Sequence, residues 1–375
     1  MTERREQMKR VRLFFQNSRK GRALVGFFSV CSALLACGCV VLATMAGGES
    51  LSTFFSRISV AFYLPPAPGA EGESSTPSEE NSLFDPQQEV FPQASPSPEP
   101  SASSSPLPES SPDPDRDVQS IEETQITGSE VDGFRILDRS GTSGLDYQAE
   151  ADAYKADVPR DGTPVILIYH THTTECYQMT ANSWCYKDAA NRSDNPEETV
   201  VAVGDVIAEK LEEAGYGVVH DTTVHDSPAY TGSYDRSAET IRKNLEKYPT
   251  ICITLDVHRD ALEDSDGNLL KTVAEVDGEK AAQFMIICGC GEDESLGFPN
   301  WKENFRFGLR LQENADEMYP GLSRPLYFLE RVYNENFTPG SLLVEFGTSG
   351  NNIQEACRTG ELFAEILIET LAGAS

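Results

Sequence analysis

In the C-terminal part of the chain, short apolar runs alternate with segments whose apolar residues recur at helical spacing. Residues 164–169 form a continuous apolar run, PVILIY, typical of a strand that is covered on both faces. A helix is predicted after Asn195 and Pro196, which suit its cap and first position, and Gly215 ends it. Further strands are predicted at 218–219, 250–255, 284–287 and 342–346, and further helices at 236–247, 301–318 and 353–371. This alternation predicts an α/β domain over residues 163–375.

One apolar segment near the amino terminus differs from the others because it is long and uncharged. Residues 23–46 would form a helix about 36 Å long, which is enough to cross a bilayer core of about 30 Å. Residues 1–22 are basic, so this tail is expected to stay in the cytoplasm while the rest crosses. A cleaved signal peptide is the alternative, but its apolar stretch has only about 7–15 residues. We therefore predict a retained transmembrane helix, followed by a juxtamembrane segment at 47–64.

Between this segment and the α/β domain, the composition changes to proline, serine and glutamate. Residues 65–128 contain too little apolar surface to offset the entropy of ordering the chain. We predict a disordered linker with an average span of about 45 Å, and a lead-in to the domain at 129–162. Such a linker suits a domain that searches a polymer above the membrane, although a spacer without any length requirement fits equally well.

The charge balance excludes nucleic acid as a partner. The chain has 30 Lys and Arg against 60 Asp and Glu, a formal net charge of -30, although its first 22 residues are basic. Binding to nucleic-acid phosphates depends on Lys and Arg displacing counterions, so a strongly acidic surface repels them.

The nine cysteines do not indicate a structural zinc site, since none has paired CxxC spacing. Cys288 and Cys290 would share one face of a strand, and we favour free core thiols over a disulfide. Cys176 and Cys185 flank a loop, and the sequence leaves their pairing open.

Three segments place polar side chains directly after apolar strands, where sites form in open α/β sheets. A catalytic zinc ion needs three protein ligands, usually His with a carboxylate, and one open position for water. His172 and Glu175 are three residues apart, so one turn could present both, and His258 could supply the third ligand. Glu345 could act as general base. The segments are 169–175 (YHTHTTE), 255–260 (LDVHRD) and 343–347 (LVEFG).

Each of these residues also has a structural interpretation. A single histidine after a strand is more often a hydrogen-bonded structural residue than a ligand. Glu345 is harder to dismiss, because a carboxylate at the end of an apolar run is costly to bury without a partner. Three of the five histidines, His170, His172 and His258, lie in two of the three segments, and this joint pattern favours a metal site.

Together with residues 225–228 (HDSP), 232–237 (GSYDRS) and 339–347 (PGSLLVEFG), these segments resemble the stage II sporulation protein P family of endospore-forming bacteria. The resemblance covers about residues 160–370 and the layout of one anchor plus an acidic linker. It implies a zinc-amidase-like fold, with a mixed, mostly parallel sheet flanked by helices. It also implies one zinc ion and cleavage of the N-acetylmuramoyl-L-alanine bond of peptidoglycan, and of peptide cross-links, during engulfment. A lytic transglycosylase partner is implied, with the catalytic domain outside the cytoplasmic membrane of the forespore or mother cell.

The resemblance also assigns roles to individual residues. It implies that His172 rather than His170 is the first zinc ligand, that His258 is a later ligand and that Glu345 is the catalytic carboxylate. The carboxylate ligand has two candidates. The HTHxxE spacing points to Glu175, which we choose, whereas the start of the following helix points to Glu198.

The remaining polar residues of these segments are expected to support the site or to contact substrate. His170 is expected to support a zinc ligand without touching the ion, or to have a purely structural role. His225 and Arg236 are expected to contact the substrate. Arg259 suits a bidentate contact with a stem-peptide carboxylate, and an ion pair with Asp260 is the alternative.

Two other classes of function compete with the amidase hypothesis. One is a different zinc hydrolase, such as a carboxypeptidase or a polysaccharide deacetylase. The deacetylase signature of an Asp-Asp pair after the first strand and an HxxxH spacing does not occur in the sequence. The other is a noncatalytic wall-binding scaffold that has kept the fold and lost the metal.

Overall fold

The computed structural model describes residues 106–291 and 297–373. The predicted basic tail, transmembrane helix and juxtamembrane segment, and most of the predicted linker, lie outside these residues. Among the helices of the described ranges, none is long and apolar enough to cross a membrane.

Twelve strands and five α-helices make up the described part of the chain. The strands are β1 (Val118–Thr124), β2 (Glu130–Val131), β3 (Phe134–Arg139), β4 (Pro164–Tyr169), β5 (Trp184–Tyr186), β6 (Gly217–His220), β7 (Ile253–Asp260), β8 (Leu269–Val276), β9 (Glu279–Ala282), β10 (Phe284–Gly289), β11 (Leu326–Leu329) and β12 (Gly340–Thr348). The helices are α1 (Tyr147–Asp152), α2 (Val200–Glu213), α3 (Ser233–Lys247), α4 (Trp301–Met318) and α5 (Ile353–Gly373).

Eight strands form the main sheet in the order β2-β3-β11-β10-β12-β7-β4-β6. Neighbouring strands are parallel except for the β2–β3 and β10–β12 pairs. The expectation of a mixed, mostly parallel sheet flanked by helices is confirmed. Because β4, β7 and β12 are parallel neighbours, their carboxyl ends lie at one edge of the sheet.

The two faces of the main sheet are covered differently. On one face, side chains such as Leu255 and Val344 join the main core with helices α2, α4 and α5. On the other face, α3 covers β4 through Ile241, which packs with Leu167 and Tyr169. A separate small apolar cluster lies over β10 and β12 on that face, formed by Met285, Ile287 and Leu343 with the partly buried Tyr327, Leu329 and Tyr333.

A second, four-stranded sheet, ordered β5-β1-β8-β9, was not predicted. Its strand β1 falls inside the predicted linker and pairs in parallel with β8, and Ile121 is buried between them. Likewise β3, in the predicted lead-in, pairs with β11 in the main sheet. The boundaries at residues 128 and 163 were therefore wrong, because backbone pairing with distant strands orders segments that contain few apolar residues.

Most elements predicted from apolar spacing are confirmed. The helix predicted at 301–318 has these bounds, and that predicted at 353–371 continues to Gly373. The predicted start at Asn195 is a short 3₁₀ turn, Pro196–Glu198, and α2 begins after a new cap at Thr199. Cys288 and Cys290 are buried as expected, and Cys176 and Cys185 form no disulfide with any described cysteine.

Candidate metal centre

The candidate ligands meet at the edge of the main sheet where β4, β7 and β12 end. His258 and Glu345 are direct partners in the β7–β12 register. The ring centroids of His172 and His258 are 5.1 Å apart, and His258 Nδ1 lies 3.6 Å from Glu175 Oε2. Segments that are distant in the sequence therefore bring two imidazoles and two carboxylates to one place.

A tight turn after β4 brings both His172 and Glu175 next to His258. The N–H of Glu175 donates to the carbonyl of His172 at 3.1 Å. Thr171 anchors the turn, because its N–H and its hydroxyl donate to the Asp256 carboxylate at 2.8 and 2.6 Å. The three-residue spacing between histidine and glutamate is thus held by a buried side chain of the neighbouring strand.

The charges of these groups suit ligands of a cation. Burial, together with the nearby His258, lowers the pKa of His172 to about 4, so this ring is neutral at pH 7. Burial opposes ionisation of Glu175, but the hydrogen bond and charge of His258 lower the pKa of Glu175 to about 2. For His258 burial also opposes the charge, and Asp256 and Glu175 nevertheless raise its pKa well above its ordinary value. His258 therefore carries a proton between two carboxylates, and a metal cation bound there would displace that proton.

Glu345 has the properties of a general base. Burial raises the pKa of Glu345 to about 8, and the charge of Asp260 acts in the same direction. A carboxyl group with a pKa near the working pH can both accept a proton and return it. Its Oε2 is enclosed, and no hydrogen-bond partner for it exists within the described residues.

The residues fit a zinc ion by type and by their unsatisfied atoms. His172 Nδ1 is buried without a hydrogen-bond partner in the described ranges, which is costly for an imidazole that binds nothing. His258 Nε2 lies 2.9 Å from Asp256 Oδ1, within ion-pair distance but without hydrogen-bond geometry, and a carboxylate at this position can orient a metal-binding ring. In residues 106–291 and 297–373, no three His, Cys, Asp or Glu side chains are yet arranged to hold a metal ion. Binding would therefore require side-chain rotation within this cluster.

The structure separates the two candidates for the carboxylate ligand. Glu198 accepts hydrogen bonds from Ser193 Oγ at 2.7 Å and Asn195 Nδ2 at 3.1 Å, so it closes its own 3₁₀ turn. Glu175 instead lies beside His258. The geometry thus favours Glu175.

Two further histidines are buried next to the site and form hydrogen bonds within the protein. His170 is fully buried, with Nδ1 donating to the carbonyl of Val257 at 3.0 Å and Nε2 2.8 Å from His220 Nε2. This position agrees with a structural role. His225 is also buried, between the carbonyl of His170 and Thr240 Oγ1, each at 2.8 Å. The expected substrate contact of His225 is therefore corrected, because both ring nitrogens are engaged inside the protein.

The two arginines expected to contact substrate hold loop backbones instead. Arg236 donates to the carbonyls of His225, Ala229 and Thr231. Arg259 is only 6% exposed and donates to the carbonyls of Cys176, Asn191 and Asp260. Both expected contacts are corrected, since all but one of these carbonyls lie outside the strands and need donors. The alternative ion pair of Arg259 with Asp260 is also wrong, because the Asp260 carboxylate pairs with Arg324 at 2.8 Å.

Several residues of the site were missed by sequence reasoning. Asp256 lies two positions before His258 on the same face of β7, and this period of two was a usable signal. Arg192 pairs with Asp226 and lies 3.6 Å from Glu175, while Tyr230 stacks on His172 with centroids 4.3 Å apart. Loop residues such as these carry no periodic pattern that would reveal them.

Fold and site together define a mixed α/β protein with a candidate metal-hydrolase centre at the carboxyl ends of parallel strands. The profile of the family Stage II sporulation protein P (SpoIIP) matches residues 72–368, and the chain belongs to this family. Stage II sporulation protein P of Bacillus subtilis (strain 168) is 28% identical over 236 residues, which are 59% of this chain and 55% of the relative. The chain thus spans about half the length of this curated relative.

Solved structures with a partial likeness are amidases. The CwlD amidase from Clostridioides difficile, in complex with the GerS lipoprotein, is 14% identical and covers 55% of this chain and 94% of its own, with a TM-score of 0.31. The N-acetylmuramyl-L-alanine amidase Ami1 from Mycobacterium abscessus is 13% identical and covers 56% and 98%, with a TM-score of 0.33.

Proposed function

We propose that this protein is a zinc-dependent peptidoglycan hydrolase that cleaves the N-acetylmuramoyl-L-alanine amide bond during sporulation engulfment. Membership of the SpoIIP family supports the biological setting. The observation that carries the chemistry is the meeting of His172, Glu175 and His258 beside Glu345 at one sheet edge. These are the ligand types and the base that a zinc hydrolase needs.

In this proposal, three residues bind the metal, one orients a ligand and one transfers the proton. His172, Glu175 and His258 hold the ion, and Asp256 orients the His258 ring. The zinc ion, when bound, supplies activation of water and polarisation of the amide carbonyl. Glu345 would take the proton of the attacking water, because its raised pKa makes the carboxylate a stronger base. The same carboxyl group then gives the proton to the leaving nitrogen, so that one side chain acts first as base and then as acid.

The remaining parts of the chain would deliver this domain to its polymer. We propose a single-pass membrane protein whose basic tail stays in the cytoplasm and whose linker carries the domain to the wall outside the forespore or mother-cell membrane. A lytic transglycosylase is the proposed partner, since cutting glycan strands complements cutting their peptide attachments. Cleavage of peptide cross-links is a second proposed activity.

The test is the substitution Glu345→Gln, with the exposed Glu317→Gln as matched control. We expect Glu345→Gln to slow the digestion of purified sacculi about 10²- to 10⁴-fold while zinc stays bound, and Glu317→Gln to change nothing. Mass spectrometry of the fragments identifies the bond, because an amidase frees the amino group of L-alanine. A deacetylase or a carboxypeptidase would release different products. A scaffold would show no digestion even before substitution, which would contradict the proposal.

A further inference from the structure

The loop between β11 and β12 contains a left-handed turn that bulky residues rarely adopt. Tyr333 and Asn334 have φ angles of 46° and 58°. Asparagine tolerates this region, but for an aromatic side chain it is a clear outlier. Such a backbone persists only where its surroundings hold it, and outliers of this kind cluster at ligand-binding and active sites.

Asn334 ties this turn to the interior of the candidate site. Its Nδ2 donates to the carbonyl of Tyr234 at 2.9 Å and to Ser237 Oγ at 3.0 Å. Ser237 Oγ lies 2.7 Å from Thr171 Oγ1, whose own proton goes to the Asp256 carboxylate at 2.6 Å. With the Thr171 proton on Asp256, the single hydroxyl proton of Ser237 is shared between Thr171 Oγ1 and the carbonyl of Tyr234, which lies at 3.2 Å. Hydrogen bonds thus link the turn continuously to the carboxylate that contacts His258.

The ring of Tyr333 is held in place by a second set of contacts. The centroid of its ring lies 5.8 Å from that of Tyr234. The rings of Tyr234 and His172 in turn meet edge to face, with their centroids 5.7 Å apart. The apolar side of the Tyr333 ring packs on the small cluster over β10 and β12. Met285 of this cluster is the direct partner of Glu345 in the β10–β12 register.

The phenol of Tyr333 is neutral at pH 7. Burial raises the pKa of Tyr333 above its ordinary value, although the nearby Arg331 acts in the opposite direction. The ring is half-buried, so part of it stays accessible beside the candidate base. Its position is therefore fixed before any ligand arrives, which reduces the entropy lost on binding.

We propose that Tyr333 is a substrate-contacting residue, whose ring packs against the peptide stem of a muramoyl peptide beside Glu345. The turn at Tyr333 and Asn334 is built to hold this ring in place. This inference rests on the proposed function and adds a residue that determines affinity for the substrate.

The experiment measures binding rather than turnover. Calorimetry follows N-acetylmuramoyl-L-alanyl-D-isoglutamine binding to the full-length protein in detergent, with Glu345→Gln present throughout to prevent cleavage. We expect Tyr333→Ala to raise the Kd about tenfold, since the packing of one aromatic ring is lost. Tyr333→Phe keeps the ring and should change the Kd less than about threefold. Asn334→Gly relaxes the backbone but removes the tether, so the Kd should rise about threefold or more.

A matched control tests whether relieving a left-handed residue far from the site changes binding. Asp277, in the exposed turn between β8 and β9, has a φ of 55°, and Asp277→Gly should leave the Kd unchanged. Melting temperatures of all variants identify any general loss of structure. In the background with Glu345 intact, KM for wall fragments should rise in Tyr333→Ala while kcat changes less than about threefold.

The outcomes distinguish this inference from the proposed function. If Tyr333→Ala melts normally, or melts earlier, and still binds the probe with the parental Kd, the inference is wrong. Failure of the parental protein to bind the probe also overturns it. If the Kd values follow the expected order but the intact protein releases no wall fragments, the contact stands and the proposed hydrolysis fails.

Discussion

The same two strands, β7 and β12, serve packing on one face of the sheet and candidate chemistry on the other. Leu255 and Val257 point into the main core, whereas Asp256 and His258, which alternate with them, point to the site. In β12, Val344 likewise points into the main core, whereas its neighbour Glu345 points to the site. A period of two therefore places buried charges next to the most apolar part of the molecule. Residues that stabilise the fold and residues of the candidate site are thus separated by the direction of their side chains, and not by their position in different segments.

A large truncation on the packing face should have the greatest effect on stability. Leu255 is fully buried, and Leu255→Ala is expected to lower the free energy of unfolding by about 2–5 kcal/mol, because a cavity remains between sheet and helices. Digestion of sacculi per folded molecule should be retained. Leu137→Ala is the matched control, since Leu137 is 38% exposed and should cost far less. Equal losses in the two variants, measured by urea unfolding, would contradict the comparison.

On the site side, a smaller effect of opposite sign is expected from Glu335. This side chain is almost completely buried, and Oε2 accepts the N–H of Gly289 at 2.7 Å. Burial raises the pKa of Glu335 well above its ordinary value. The folded protein therefore keeps a proton that the unfolded chain releases, so stability falls as pH rises from the unfolded pKa through the folded one.

Substitution of Glu335 by glutamine should remove this pH dependence. Glutamine keeps the shape and the acceptor but cannot ionise, so Glu335→Gln should be more stable than the parent at neutral pH. The two proteins should become similar near the ordinary carboxyl pKa. Urea unfolding measured between pH 5 and 8 checks this, and parallel curves for both proteins would show that Glu335 is not the titrating group.

The comparison also explains what the sequence could predict. Apolar runs and helical spacing were enough for β4, β7, β10 and β12 and for helices α2 to α5, since each buries a recognisable set of side chains. The candidate site was also predictable in outline. His172, Glu175, His258 and Glu345 each follow or end an apolar strand, and the parallel order of those strands places their ends together.

The parts of the fold and of the site that the sequence could not predict depend on contacts between residues that are distant in the sequence. Of the small sheet, Ile121, Cys185 and Leu269 form a separate small cluster, while Val276 and Ala281 join the main core. Strands β1 and β5 therefore gave almost no periodic signal. The arginines were misassigned for a related reason. A guanidinium suits a substrate carboxylate and a loop carbonyl equally well, and only the fold shows that Arg236 and Arg259 serve loop carbonyls.

The central claim is that one cation binds between His172, His258 and Glu175, and zinc affinity of paired variants tests it most directly. Competition with a chelator should give one zinc ion per chain in the parent. Glu175→Gln should weaken zinc binding by at least about tenfold, while Glu198→Gln should leave it unchanged. A protein that binds no zinc, or one in which only Glu198→Gln loses it, would contradict the account.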